Sequence, residues 1–151
     1  EIYNYQTFNK DFKSDGECLI YLYRLYGDDF ATKLDGEFAI ALFDFRKQIV
    51  LLASDAFATK PLFYYFDNAH GFVVSSIRRT ITENLYINES EIKKLEANSI
   101  LKFDFSNNLI KRTPTHIFEL YQRKNQGKIR LTFERFFHYH YWLPENLVHR
   151  P

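Results

Sequence analysis

The amino-acid sequence predicts an α+β protein whose strands are mostly antiparallel and stacked in layers with helices. Three observations predict it. Helix signals cluster between residues 14 and 36, and four apolar runs follow between residues 37 and 76, too closely spaced to be joined by helical crossovers. Aromatic residues then make up 19% of the chain (16 Phe, 11 Tyr and one Trp), and large rings suit strands and the space between sheets.

The elements follow in order. Ser14-Asp15-Gly16-Glu17 reads as a capping box, Ser14 accepting from the amide of Glu17 and the Glu17 carboxylate reaching back. Behind it Cys18, Leu22, Leu25 and Tyr26 recur at helical spacing, and Gly27 stands where a helix ends. DDFATKLDG predicts a short second helix stopped by Gly36. EFAIALFDF is apolar on both faces, as in a strand covered on both sides. QIVLLASD, PLFYYF and GFVVSS are three further strands, the last two joined by the turn Asp67-Asn68-Ala69-His70. IRRTITENL and ESEIKKLEA read as short helices, the second with Ile92 and Leu95 three apart. SILKFDF and LIKR close the series as a hairpin around Ser106-Asn107-Asn108. Beyond Thr113 no period persists.

Composition sets outer bounds. A chain of 151 residues fits one domain of roughly 100–200 residues. With 46% hydrophobic and 26% charged residues it reads as globular. Cys18 is the single cysteine, so no internal disulfide forms and a reducing, cytoplasmic setting is expected. No apolar run approaches the ~20 residues of a membrane span. Residues 1–110 hold 12 basic and 16 acidic side chains against 8 and 3 in residues 111–151, so the final stretch differs in character.

Side chains with chemical potential each face a plain rival. Cys18 lies on the apolar stripe of its helix, where a thiol packs as a small hydrophobe. His138 and His140 share one side of an extended segment, but a metal needs a third ligand and no acidic or Cys cluster lies near them. The arm from Arg123 to Arg135 mixes cations with Tyr121, Phe133, Phe136 and Phe137, a blend able to grip nucleic acid. Solvated linker charge is commoner, and neither nucleic acid nor membrane is an expected partner. Asp55 and Lys60 flank an irregular loop, as a structural pair or as part of a pocket. The five glycines are scattered, and no phosphate loop is present.

Several stretches, in one order, carry a family resemblance: EIYNY, SDGE, YG followed by LDGEFAIALFD, SDAFATKPLFYY and VVSS. Over residues 1 to about 80 the chain resembles the class II glutamine amidotransferase domain of asparagine synthetases, and EIKKLEANSILKFDF continues the likeness more weakly. The resemblance implies an Ntn-hydrolase-type layered αββα sandwich of two mostly antiparallel sheets. It implies glutamine hydrolysis by an N-terminal Cys thiol whose α-amine is the base, with ammonia passed to an ATP-using synthetase domain that amidates aspartate. ATP and Mg belong to that other domain, and no cofactor is expected in this chain.

Carried over residue by residue, Glu1 takes the place of the Glu in the family's Asn-Gly-Glu, which contacts the amino-acid end of L-glutamine. Asp15 takes the place of the Asp that pairs with the glutamine α-ammonium. A carboxylate at a helix N-terminus suits that task. Its plainer role is that of a first-turn residue. The family's nucleophile, Arg-Gly-Pro-Asp loop and Asn-Gly oxyanion donors would all precede Glu1, so the sequence reads as an interior stretch, and the expectation is no catalytic residue in the chain and no activity alone. Family Arg-Asp stands here as Ser54-Asp55, the loop Gly as Ala58, Ser-Glu as Ser75-Ser76 and Pro-Gly as Ala97-Asn98. Residues 1–112 are expected to form a partial amidotransferase domain, and residues 113–151 an irregular arm towards a synthetase domain. Homo-oligomerisation is left open. The alternative is a degenerate, non-hydrolysing scaffold.

Overall fold

Ile49–Ser54 (β2) is buried at every position, as β-branched and aliphatic side chains require when both faces of a strand are covered. The computed structural model, which describes residues 1–107 and 109–115, builds two sheets around it. One has the order β1-β2-β6-β7, with β1 Ala39–Asp44, β6 Ile100–Asp104 and β7 Leu109–Thr113; the other has the order β4-β3-β5, with β3 Phe63–Asp67, β4 Gly71–Ser75 and β5 Lys93–Lys94. Every pairing is antiparallel. The helices are α1 (Tyr5–Phe8), α2 (Glu17–Tyr26) and α3 (Arg78–Leu85), with 3-10 turns at Gly27–Lys33 and Glu89–Glu91. Residues 1–115 belong to one unit of the chain; residues 117–151, with the His138–His140 pair and the basic arm, lie outside the described residues.

Three apolar clusters define the layers. Cys18, Leu22 and Phe30 pack on Ile40, Leu42, Leu51 and Ala53, so α2 and the 3-10 turn cover one face of the first sheet. Val50, Leu52, Leu101 and Phe103 meet Leu62, Tyr64 and Leu95 between the sheets. Tyr65 packs on Ile81 and Ile92, placing α3 over the outer face of the second sheet. The α+β class, and the helix–sheet–sheet–helix layering, are as the sequence predicts. Each fully buried leucine in these layers contributes about 2 kcal/mol by removal from water.

Four local expectations change. The 89–97 helix does not form: Asn88 accepts from the Ser90 amide and starts the 3-10 turn, and Lys93–Lys94 pairs with β3. In extended chain, residues three apart point to opposite faces, so Ile92 enters the α3 cluster while Leu95 enters the inter-sheet core. The capping box is also absent. Gly16 is the N-cap of α2, and the Glu17 carboxylate accepts from the Lys13 amide at 3.1 Å. Gly27 does end the helix, donating to the Tyr23 carbonyl with φ +58°. Third, β1 is not covered on both faces, for Ala41 and Phe43 are exposed along the sheet edge. Finally α1, four residues long, carried no sequence signal.

Candidate functional site

Glu1, Ile2 and Tyr3 run antiparallel to residues 35–37. The Glu37 amide donates to the Glu1 carbonyl at 2.9 Å, the Tyr3 amide donates to the Asp35 carbonyl at 2.7 Å, and Ile2 bridges Gly36. Gly36 is obligatory here. A Cβ at that position would stand 2.2 Å from the Glu1 carbonyl oxygen and 2.8 Å from Ile2 Cα. The glycine of LDGEF therefore permits the backbone of residues 1–2 to lie directly on it.

That approach delivers the first residues to the N-terminal end of α2. The Ile2 amide donates to Asp15 Oδ2 at 2.9 Å, and the Glu1 backbone nitrogen lies 4.0 Å from the same oxygen. Asp15 is thus oriented by a strand amide, and not by the free amides of the helix as its position in sequence suggests. One cavity of about 400 Å³, a size typical for small-molecule sites, is lined by Glu1, Asp15, Glu37, Lys60 and Ser76, with Ile2, Leu19, Phe38 and Leu62 as apolar wall. Glu1 and Asp15, singled out separately in the sequence, share it.

Lys60 and Glu37 stand across the mouth with Nζ and Oε2 3.7 Å apart, both half exposed. The Asp55–Lys60 pair considered from sequence does not form. Asp55 is buried, and its carboxylate accepts from the amides of Phe38, Phe57 and Thr59 and from the Thr59 hydroxyl. It pins the 55–61 loop to the start of β1. Glu37 was not anticipated; the available signal was a lone carboxylate at the head of an apolar strand.

Three carboxylates and one ammonium in an apolar-walled cavity suit a ligand with a cationic head and a short stem, as an α-amino acid offers. Among the described lining residues Ser76 has the one hydroxyl, and none is His or Cys. Cys18 is no substitute. It is fully buried and donates to the Asp15 carbonyl at 2.9 Å, and burial, helped by the nearby Asp15 charge, pushes its thiol up to about 11. A thiol so protonated is a poor nucleophile at neutral pH. Among the described residues no cluster of His, Cys, Asp and Glu has the makings of a metal site, and no helix is long and apolar enough to cross a membrane.

Two positions that depart from the family pattern have left-handed backbone, and a third is buried. Ala58 and Asn98, both at glycines of the pattern, have φ of 50° and 52°. Ser54 is buried, its hydroxyl donating to the Glu96 carbonyl at 2.6 Å and accepting from the Ser99 amide at 3.3 Å.

A family model described as a glutamine amidotransferase domain matches residues 1–142. The chain is 35% identical over 127 residues to a Methanocaldococcus jannaschii protein provisionally named asparagine synthetase [glutamine-hydrolyzing] 1, covering 72% of this chain and 23% of that one. It is 32% identical over 116 residues to asparagine synthetase [glutamine-hydrolyzing] 1 of Bacillus subtilis, covering 70% and 18%. It is 38% identical over 72 residues to amidase chry2 of Gibberella zeae, covering 42% and 11%. The chain thus spans less than a quarter of the length of these curated relatives. With the layered sheets and the Glu1–Asp15 cavity, the match places the chain in the glutamine amidotransferase domain family, of the asparagine synthetase type.

Proposed function

We propose that this chain is the substrate-holding part of a glutaminase, with Asp15 pairing with the α-ammonium of L-glutamine and Glu1 contacting the same end of the molecule. The observation that carries the reading is the meeting of Glu1 and Asp15 in one cavity with Glu37. The negative balance of that cavity favours an ammonium, and its apolar wall fits the glutamine methylenes.

The bond-breaking groups are then supplied from outside this sequence, and the chain by itself releases no ammonia. Residues 1–112 form the amidotransferase part and residues 113–151 the passage towards a synthetase domain, which binds ATP and Mg and amidates aspartate. The setting is cytoplasmic.

Titration calorimetry of the 151-residue chain with L-glutamine tests the binding step. Binding is expected, at least about tenfold weaker in Asp15→Asn, the loss of roughly 1.4 kcal/mol of charge pairing. No heat with the unaltered chain, or equal affinity in the variant, overturns the assignment. A glutaminase assay on the same sample is expected to show no turnover, and ammonia release at the rate of a complete enzyme overturns the proposal of inactivity.

A further inference from the structure

Past the end of β7 the chain turns back into the protein. Pro114 is exposed, but Thr115 is only 1% exposed. The Thr115 backbone N–H donates to the Asn98 carbonyl at 3.3 Å, which carries the β6–β7 register two residues beyond the Ile100–Thr113 pair. A hydroxyl buried to this degree needs a partner. Thr115 Oγ1 finds it two strands away, donating to the Ser54 carbonyl at 2.8 Å.

That carbonyl belongs to the peptide group between Ser54 and Asp55. The N–H of the same group donates to the Phe38 carbonyl at 3.1 Å. Hydroxyl, peptide and carbonyl thus form one chain of hydrogen bonds, in which each bond polarises the next. The Asp55 carbonyl in turn accepts from the Asn98 backbone N–H at 2.9 Å. Thr115 therefore closes a ring, bonded on one side to Asn98 and on the other to the peptide that Asn98 also holds.

Both sides of the cavity mouth hang on residue 55. Glu37 precedes Phe38, whose backbone N–H and C=O both bond Asp55. Lys60 follows Thr59, whose amide and hydroxyl are held by the Asp55 carboxylate. Glu37, Phe38 and Lys60 line the cavity, and Thr115 is not among its lining residues. We propose that Thr115 is a positioning residue of this cavity. By fixing the 54–55 peptide, its hydroxyl sets the placement of Glu37 and Lys60, and so the affinity for the ligand. The ligand named here rests on the glutamine reading above; the positioning rests on the hydrogen bonds alone.

The test combines amide hydrogen exchange with L-glutamine calorimetry on the intact 151-residue chain, Thr115→Val and Thr115→Ser. Valine keeps the branched shape but donates nothing, whereas serine keeps the hydroxyl. In Thr115→Val, exchange at the Phe38 and Asp55 amides is expected to speed up about tenfold more than at Leu51 and Leu52. Its dissociation constant for glutamine is expected to rise about fivefold at unchanged stoichiometry, and Thr115→Ser to stay within about twofold of the unaltered chain. A hydroxyl that serves folding alone speeds all four amides equally and lowers the stoichiometry without changing the affinity. That result, or an equal loss in Thr115→Ser, overturns the proposal. If Thr115→Val fails to fold, the unaltered chain decides: by reciprocity, saturating glutamine is expected to slow exchange at the Thr115 amide about threefold, and no slowing overturns it. If the unaltered chain takes up no glutamine, the ligand assignment falls, and exchange at Phe38 and Asp55 decides the positioning alone.

Discussion

Ala58 carries φ 50° in the loop pinned by Asp55, a left-handed conformation that costs an L-residue with a Cβ roughly 1–2 kcal/mol. Glycine adopts it freely but loses more chain entropy on folding, by about 0.5–1 kcal/mol. The strain wins by a small margin, so Ala58→Gly is expected to stabilise the protein by ~0.5 kcal/mol, read as a higher urea midpoint at an unchanged m-value. A lower midpoint refutes the strain at this residue. Asn98, at φ 52°, offers less to gain, because asparagine tolerates the region better than alanine. Both positions read as departures when the sequence is compared with its family. In the fold both residues occupy left-handed backbone, the region glycine adopts without strain.

At the scale of elements, the loop 55–61 connects the two sheets and carries Lys60 to the mouth of the cavity, and the Asp55 carboxylate organises it. Removing that carboxylate leaves the amides of Phe38, Phe57 and Thr59 without their acceptor, each buried donor so orphaned costing about 1–3 kcal/mol. Asp55→Ala is expected to destabilise by ~3 kcal/mol, since water reaches some of these groups, and to weaken glutamine binding through the freed start of β1. Loss below 1 kcal/mol in chemical denaturation contradicts this anchoring role. The main strands were legible in the sequence because runs such as QIVLLASD and SILKFDF are short, largely apolar and rich in β-branched, aliphatic or aromatic residues, and their turns are marked by Asp, Asn and Ser. The 89–95 segment was not, because Ile92 and Leu95 fit either a helix face or two faces of an extended chain, and only the placement of two separate clusters decides between them. Glu1 and Asp15 were legible through their motifs. Their meeting was not, since it depends on the backbone contact at Gly36, and a sequence shows no contact between residues 1 and 36.

For the whole molecule, the carboxylates that tie turns and strands together fix how stability varies with pH. Asp104 is held down to about 2, first by the Asn107 and Ser106 side chains, with Lys102 assisting. Asp67 lies well below the usual carboxylate range, chiefly through the Tyr65 hydroxyl, which donates to it at 2.6 Å, and then through His70. Asp44 is lowered by the Lys47 amide and the Tyr23 hydroxyl, and Glu96 by Arg112. All four have folded values below their unfolded ones. Their contribution is complete above the unfolded range near pH 4 and disappears as pH falls through the folded values, so the unfolded chain takes up protons first. The urea midpoint is therefore expected to be level between pH 7 and 5 and to fall steeply from about pH 4 towards 2. The phenols act with the opposite sign. The hydrogen bond to Asp67 pushes Tyr65 up to about 12, and burial raises Tyr23 above its ordinary value. Their contribution is present below pH 10 and is lost as pH rises through the folded values. One substitution tests both limbs. Tyr65→Phe removes the largest cause of the Asp67 depression together with one raised phenol, so the acid limb becomes shallower and the loss above pH 10 is reduced. An unchanged acid limb in Tyr65→Phe shows that the Tyr65–Asp67 bond does not couple this hairpin to the pH response of the fold.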